Sequence, residues 1–167
     1  MATAQDHLID EAELNKLTVN YAIATDALGS GQPDRIASGR ALYRRIFSTD
    51  ACIEAGDSGQ VAGPDAWADF VIDALEPFST TQHLVGTISI QFATEGNQAT
   101  GETAKMTTYL HATHEYQPGG DLWIVLGTYE DEAFKTDQGW RLVSRHLVVT
   151  SSEKRTHDST QAESTLR

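Results

Sequence analysis

His83 and Asp26 are the residues whose types and spacing point most directly to chemistry. His83 stands at the head of a strand predicted from TTQHLVGTISI, residues 80–90. Asp26 stands near the end of a predicted helix, in the run NYAIATD, with Tyr21 five residues before it. An imidazole has an unperturbed pKa of about 6.5 and accepts a proton near neutral pH. A carboxylate at its other ring nitrogen fixes the tautomer and stabilises the imidazolium that forms. If the helix end and the strand head meet, Asp26 holds His83 as a general base. A strand-end histidine satisfied by backbone is the plain structural alternative. Asp26 alone would sit badly, because a negative charge in the last helical turn opposes the helix dipole. Tyr21 reads either as an oxyanion donor or as a core aromatic on the helix stripe.

The elements that must position these residues are legible from periodicity. Residues 9–28 form a helix capped by Asp10, with Leu14, Leu17, Tyr21, Ala24 and Leu28 as its apolar stripe. Pro33-Asp34 opens a second helix to about Arg45, weakened by Gly39. Residues 47–54 read as a short strand, and Gly63-Pro64-Asp65 starts a third helix that Pro77 closes. From Thr80 the period becomes two. Strands are predicted over residues 81–93, 99–116, 122–135 and 140–150, with turns at Glu95-Gly96-Asn97, Pro118-Gly119-Gly120-Asp121 and Asp137-Gln138-Gly139. This order is α+β, with helices on one face of a curled antiparallel sheet. Strict alternation puts Leu84, Ile88, Ile90 and Phe92 on one face, and Trp140, Leu142, Ser144, His146 and Val148 on one face.

The chain has 167 residues, is 40% hydrophobic and carries a formal charge of −12, which suits one domain with a real core. The expected extent is residues 1–152, followed by a polar, disordered tail over 153–167. No basic patch is visible, so nucleic acid is not an expected partner, and an anionic membrane surface would repel the chain. The single cysteine, Cys52, excludes a disulfide framework and a thiolate metal site within the chain. His111 and His114 are three apart on one strand and point to opposite faces, so no metal site is read there. The N-terminus has no apolar leader-like run, and the expected location is the cytoplasm.

Four features together resemble a known family. They are the helix with Tyr21 and Asp26, the TQHLVGTISI strand head, the ATGE hairpin exit and the closing GTYEDEAFKTDQGWRLVSRHLVV. Over about residues 8–150 they look like the SnoaL-like, scytalone dehydratase-like branch of the nuclear-transport-factor-2-like superfamily. The resemblance implies a cone-shaped sheet against about three N-terminal helices, a homodimer or homotrimer, no cofactor, and a small hydrophobic ligand. It implies that His83 takes a proton from carbon, that Asp26 orients it, and that Tyr21 belongs to the site. Thr107 stands where the bile-acid 7α-dehydratase carries a second pocket aspartate. Tyr109 stands where scytalone dehydratase has its second pocket histidine, a role that falls to His111 or His114 if the strand is shifted. The polar pair on the third strand of that enzyme falls near Gly127 and Tyr129. Thr107, Tyr109, His111, Tyr129 and Trp67 are therefore the expected substrate contacts.

The function expected is a cofactor-independent lyase of the dehydratase kind, or an isomerase, acting on a small hydrophobic cyclic, polyketide-like or steroid-like substrate. Such an enzyme requires His83 and Asp26 in hydrogen-bond contact. A non-catalytic binding module of the same fold predicts a histidine without its aspartate, and an assembly subunit predicts a filled interior and a large interface.

Overall fold

The protein, described over residues 4–95 and 98–156 in a computed structural model, has three helices and six strands. The helices are α1 (Ala4–Leu28), α2 (Pro33–Ile46) and α3 (Pro64–Leu75). The strands are β1 (Phe47–Ala55), β2 (Gln60–Ala62), β3 (Phe78–Glu95), β4 (Gln98–Tyr116), β5 (Leu122–Thr136) and β6 (Gly139–Arg155). They form one curled, open sheet in the order β2-β1-β6-β5-β4-β3. The predicted meander is there, but the sheet as a whole is mixed, because β1 runs parallel to β6. The three-residue β2 was not expected; it is too short to show a period. Part of the turn expected at Glu95-Gly96-Asn97 lies outside the described residues, as does 157–167 of the expected tail. Residues 151–155 of β6 continue to pair with β5, so the strand runs beyond its predicted end at 150. Among the described residues no helix is long and apolar enough to cross a membrane.

The helices cover the inner face of the sheet. The predicted stripe of α1 is buried, with Leu14 and Ala24 fully enclosed, and it meets Tyr43, Ile46, Phe47, Ile53, Trp140 and Leu142 in one core. α1 begins five residues earlier than expected, and Asp10 is not its cap. Asp10 is buried, accepts the Trp140 Nε1–H at 2.9 Å, and pairs with Lys135 Nζ at 2.6 Å. It therefore fastens the start of α1 to the β5–β6 hairpin.

Gly39 does more than weaken a helix. A Cβ there would lie 2.8 Å from the Ala24 carbonyl oxygen and 2.9 Å from Leu28 Cγ, so α1 and α2 approach at this point because it has no side chain. Gly39→Ala is expected to push the helices apart and to cost about 1–3 kcal/mol, despite the gain in helix propensity. Urea denaturation measures this; unchanged or increased stability would contradict the packing account.

Two bulges decide which side chains face inward. In β3, Gly86 pairs with Tyr109 and Ser89 with Thr107, so Thr87 and Ile88 together oppose Thr108. Thr87 takes a φ of 50°, an outlying conformation for a β-branched residue. Before the bulge His83 and Val85 face inward; after it Ile88, Ile90 and Phe92 do. Leu84 is 67% exposed and faces out, which corrects the single-face reading of Leu84 with Ile88, Ile90 and Phe92. In β6, Ala133 pairs with Leu142 and Glu132 with Ser144, leaving Val143 as the extra residue. Trp140 and Leu142 are followed on the inner face by Arg145 and Leu147, and not by Ser144 and His146.

Candidate active site

His83 and Asp26 meet. Asp26 lies in the last turn of α1, and β3 is the outer strand of the sheet, so one side of its backbone has no neighbouring strand. The Asp26 carboxylate takes up that side. Its oxygens lie 3.1 and 3.3 Å from the His83 backbone nitrogen, and Oδ1 lies 2.7 Å from His83 Nδ1. The backbone N–H and the ring thus hold the carboxylate from two directions, so its position is set before any ligand arrives. A carboxylate only accepts, so Nδ1 of a neutral His83 carries the hydrogen and Nε2 keeps the lone pair. The side chain of His83 is 8% exposed and that of Asp26 23%, so the pair is sheltered with the aspartate nearer solvent.

A second imidazole stands beside this pair. The His114 ring, from the inner face of β4, crosses that of His83 edge to face, with centroids 5.4 Å apart. His114 Nδ1 donates to the Trp123 carbonyl at 3.3 Å, and Phe78 and Trp123 pack around the ring at 4.9 and 5.1 Å. Burial, reinforced by the nearby His83, pulls the His114 pKa below its ordinary 6.5, to about 4. The folded protein therefore resists a proton that the unfolded chain accepts. Stability from this group is present in full above about pH 6.5 and is lost as the pH falls toward about 4. His114→Phe is expected to flatten that slope. Denaturation midpoints between pH 4 and 7 measure it, and an equal slope in the variant would contradict the assignment.

Deeper on the inner face lies a fully enclosed aromatic and ionic cluster. Arg145 Nε and Nη2 bind the two Asp131 oxygens at 2.7 and 2.6 Å, and both side chains are at most 1% exposed. The guanidinium carbon lies 4.0 Å from the Tyr21 ring centroid and 4.3 Å from that of Tyr129. Burial opposes the charge, but the Asp131 carboxylate more than offsets it, so the guanidinium pKa rises above its usual value. Tyr43 and Tyr129 are pushed well above the ordinary phenol value, chiefly by burial. The Asp26 charge reaches both His114 and Tyr129, which places the two clusters in one electrostatic neighbourhood.

The expected site residues separate into three groups. His83 and Asp26 touch. Tyr21, Trp67 and Tyr129 lie on the inner side but are packed: Trp67 Nε1–H donates to the Tyr21 hydroxyl at 3.2 Å, which is the only donor of the indole. The Tyr21 ring stacks on that of Tyr43 with centroids 5.2 Å apart, and the Tyr43 hydroxyl meets Thr25 Oγ1 at 2.7 Å. Tyr21 is 3% exposed, and its hydroxyl accepts from Trp67 within this packed cluster. Thr107, Tyr109 and His111 are on the other face. The inward residues of β4 are Ala104, Met106, Thr108, Leu110, Ala112 and His114, so the alternate residues point away from His83. Tyr109 and His111 line an outward groove with Leu84 and Leu126, and Thr107 lines another with Lys105, Glu130 and His146. The expectation that these three contact the same substrate as His83 is corrected accordingly.

Arg145 and Thr108 went unnoticed in the sequence. Thr108 shares parity with Met106, Leu110 and Ala112, a signal that was available. The inward turn of Arg145 depends on the Val143 bulge, which alternation cannot reveal. Among the described residues no group of three or more His, Cys, Asp or Glu could hold a metal ion.

The fold is shared with solved proteins. The chain superposes on a protein from Novosphingobium aromaticivorans DSM 12444 assigned as a scytalone dehydratase, with a TM-score of 0.72, 19% identity and 93% coverage of both chains. It is similar to hexachlorocyclohexane dehydrochlorinase LinA-type3 from Novosphingobium barchaimii LL02, with a TM-score of 0.75, 14% identity, and coverage of 91% of this chain and 94% of that one. Kfla4162 from Kribbella flavida gives a TM-score of 0.70 at 23% identity, covering 89% of this chain and 95% of that one. At these identities the likeness shows the fold alone. No curated protein sequence matches this chain. The resemblance read from the sequence is borne out by the family model, which matches residues 6–146: the chain belongs to the SnoaL-like domain family.

Proposed function

We propose that the protein is a cofactor-independent lyase of the dehydratase kind, or an isomerase, for a small hydrophobic cyclic substrate bearing a carbonyl. The observation that carries this reading is the 2.7 Å contact between His83 Nδ1 and Asp26 Oδ1, which leaves Nε2 as a lone-pair base. Nε2 removes a proton from the carbon beside the carbonyl, and the bonding pair passes into an enolate. Asp26 stabilises the imidazolium. His114, held neutral, adds no second positive charge against it. In dehydration the β-hydroxyl then leaves and takes the proton from His83 as water; in isomerisation His83 returns the proton to another carbon. A binding module would have no use for the aspartate, so the contact favours catalysis. The names of two structurally similar proteins, a dehydratase and a dehydrochlorinase, are those of elimination enzymes.

The test is incubation with a panel of β-hydroxy cyclic ketones, following enone absorbance. Conversion supports the reading. Binding of the panel without loss of water or migration of a double bond would refute it. The same reading has the protein in the cytoplasm as a homodimer or homotrimer, packed through the outward face where Leu84, Tyr109 and Leu126 are exposed. A monomer in analytical ultracentrifugation at micromolar concentration would refute that part.

A further inference from the structure

Gly29 follows the last residue of α1, and its backbone N–H still donates to the Thr25 carbonyl at 3.0 Å, so it completes the final helical turn. Its φ lies outside the left-handed region, unlike that of Gly31, so its backbone suits any residue. Space is what excludes a side chain. A Cβ at Gly29 would lie 2.7 Å from Thr81 Cγ2, 2.8 Å from Leu75 Cδ1 and 3.3 Å from Leu75 Cβ. Carbon atoms rest about 3.5–4.0 Å apart, so an alanine here lacks roughly 1 Å of room. The neighbours have little to give. Thr81 is β-branched and stiff at χ1, and Leu75 is buried with its own Cβ in the contact. A side chain at this position therefore moves the end of α1 off β3.

Asp26 and Gly29 are three residues apart, one above the other on the same helical face. Thr81 and His83 are two apart on the inner side of β3, paired across the strands with His114 and Ala112. Gly29 against Thr81 and Asp26 against His83 are thus adjacent rungs between the same two elements. We infer that Gly29 is a positioning residue: its bare contact with Thr81 seats α1 close enough to β3 for Asp26 to hold His83 Nδ1, and so fixes which ring nitrogen carries the hydrogen. The residue acts only through that spacing. Asp26 Oδ1 lies 2.7 Å from Nδ1, and a separation of about 1 Å takes it out of hydrogen-bond reach. Nδ1 then loses its acceptor. The ring goes over to the Nε2–H form that a free imidazole favours in water, and the base nitrogen is blocked. The effect on turnover rests on the elimination reading; the effect on the tautomer rests on the Asp26 contact alone.

Nitrogen-15 NMR of the imidazoles at about pH 8, where an ordinary histidine is neutral, tests it in wild type, Gly29→Ala, and Gly29→Ala with Thr81→Ser. The His83 signals are those missing from His83→Ala. Serine takes away Thr81 Cγ2, the nearest obstacle, and leaves space into which Leu75 Cδ1 turns. Wild type is expected to carry the hydrogen on Nδ1 of His83. Gly29→Ala should carry it mostly on Nε2 with its circular dichroism unchanged, and the double variant should return it to Nδ1. Turnover should fall about ten- to a hundredfold in Gly29→Ala and recover in the double variant. Retention of Nδ1–H in Gly29→Ala, or a loss of tautomer or of fold that Thr81→Ser does not reverse, would overturn the inference. A tautomer that shifts and returns as expected, in a protein that converts no β-hydroxy ketone, would keep Gly29 in this role and refute the elimination reading.

Discussion

Replacing His83 with alanine is expected to lower turnover by about 10²–10⁴-fold while leaving the fold intact. The size follows from the loss of a positioned base. The sparing of the fold follows from the place: His83 is on an outer strand, and its backbone pairing with Ala112 does not need the ring. Asp26→Asn should fall in the same range for a different reason. An asparagine can still accept the His83 backbone N–H through its oxygen, but its amide then donates toward Nδ1. That moves the hydrogen to Nε2, the nitrogen that must be bare. Alanine removes the base, and asparagine leaves a base with the wrong tautomer. Steady-state kinetics on a substrate found in the β-hydroxy ketone panel, with circular dichroism of each variant, separates these cases. Full activity in His83→Ala would refute the assignment.

Asp131→Asn is expected to destabilise the protein by about 3–5 kcal/mol, because it leaves the enclosed Arg145 cation without its counter-charge. Domains of this kind hold only about 5–15 kcal/mol in all, so the loss is a large share. At about 2–4 °C per kcal/mol for a chain of this size, the melting temperature should fall by roughly 6–20 °C. The double variant Asp131→Leu with Arg145→Met removes both charges and should recover much of the loss, since an apolar pair avoids the desolvation cost. Equal stability of Asp131→Asn and wild type in urea would contradict the account of this cluster.

Much of this was legible in the sequence. The α1 stripe, three helices and four long strands follow from spacing, since the period of a buried face is a direct consequence of which residues leave water, whereas the His83–Asp26 pairing is what the family resemblance implies. What was not legible depends on local departures from period two. One extra residue at Thr87 reverses the side on which Leu84 and Ile88 lie, and one at Val143 brings Arg145 inward. The β3 bulge begins at Gly86, an isolated glycine of the kind that often marks a bulge, whereas no glycine or proline marks the one at Val143. The outward setting of Thr107, Tyr109 and His111 could have been read, because Met106, Leu110 and Ala112 alternate with them as the apolar set. Asp10 looked like a cap because its sequence neighbours suit one; its partners Lys135 and Trp140 are more than a hundred residues away.

The central claim is that His83 removes a proton from carbon. The most direct test is to incubate the wild-type protein in deuterium oxide with a cyclic ketone that lacks a leaving group, and to follow the α-hydrogens by proton NMR. The account predicts deuterium at the carbon beside the carbonyl, well above the uncatalysed rate, and its loss in His83→Ala. A ketone that binds and keeps its α-hydrogens at the background rate would contradict it.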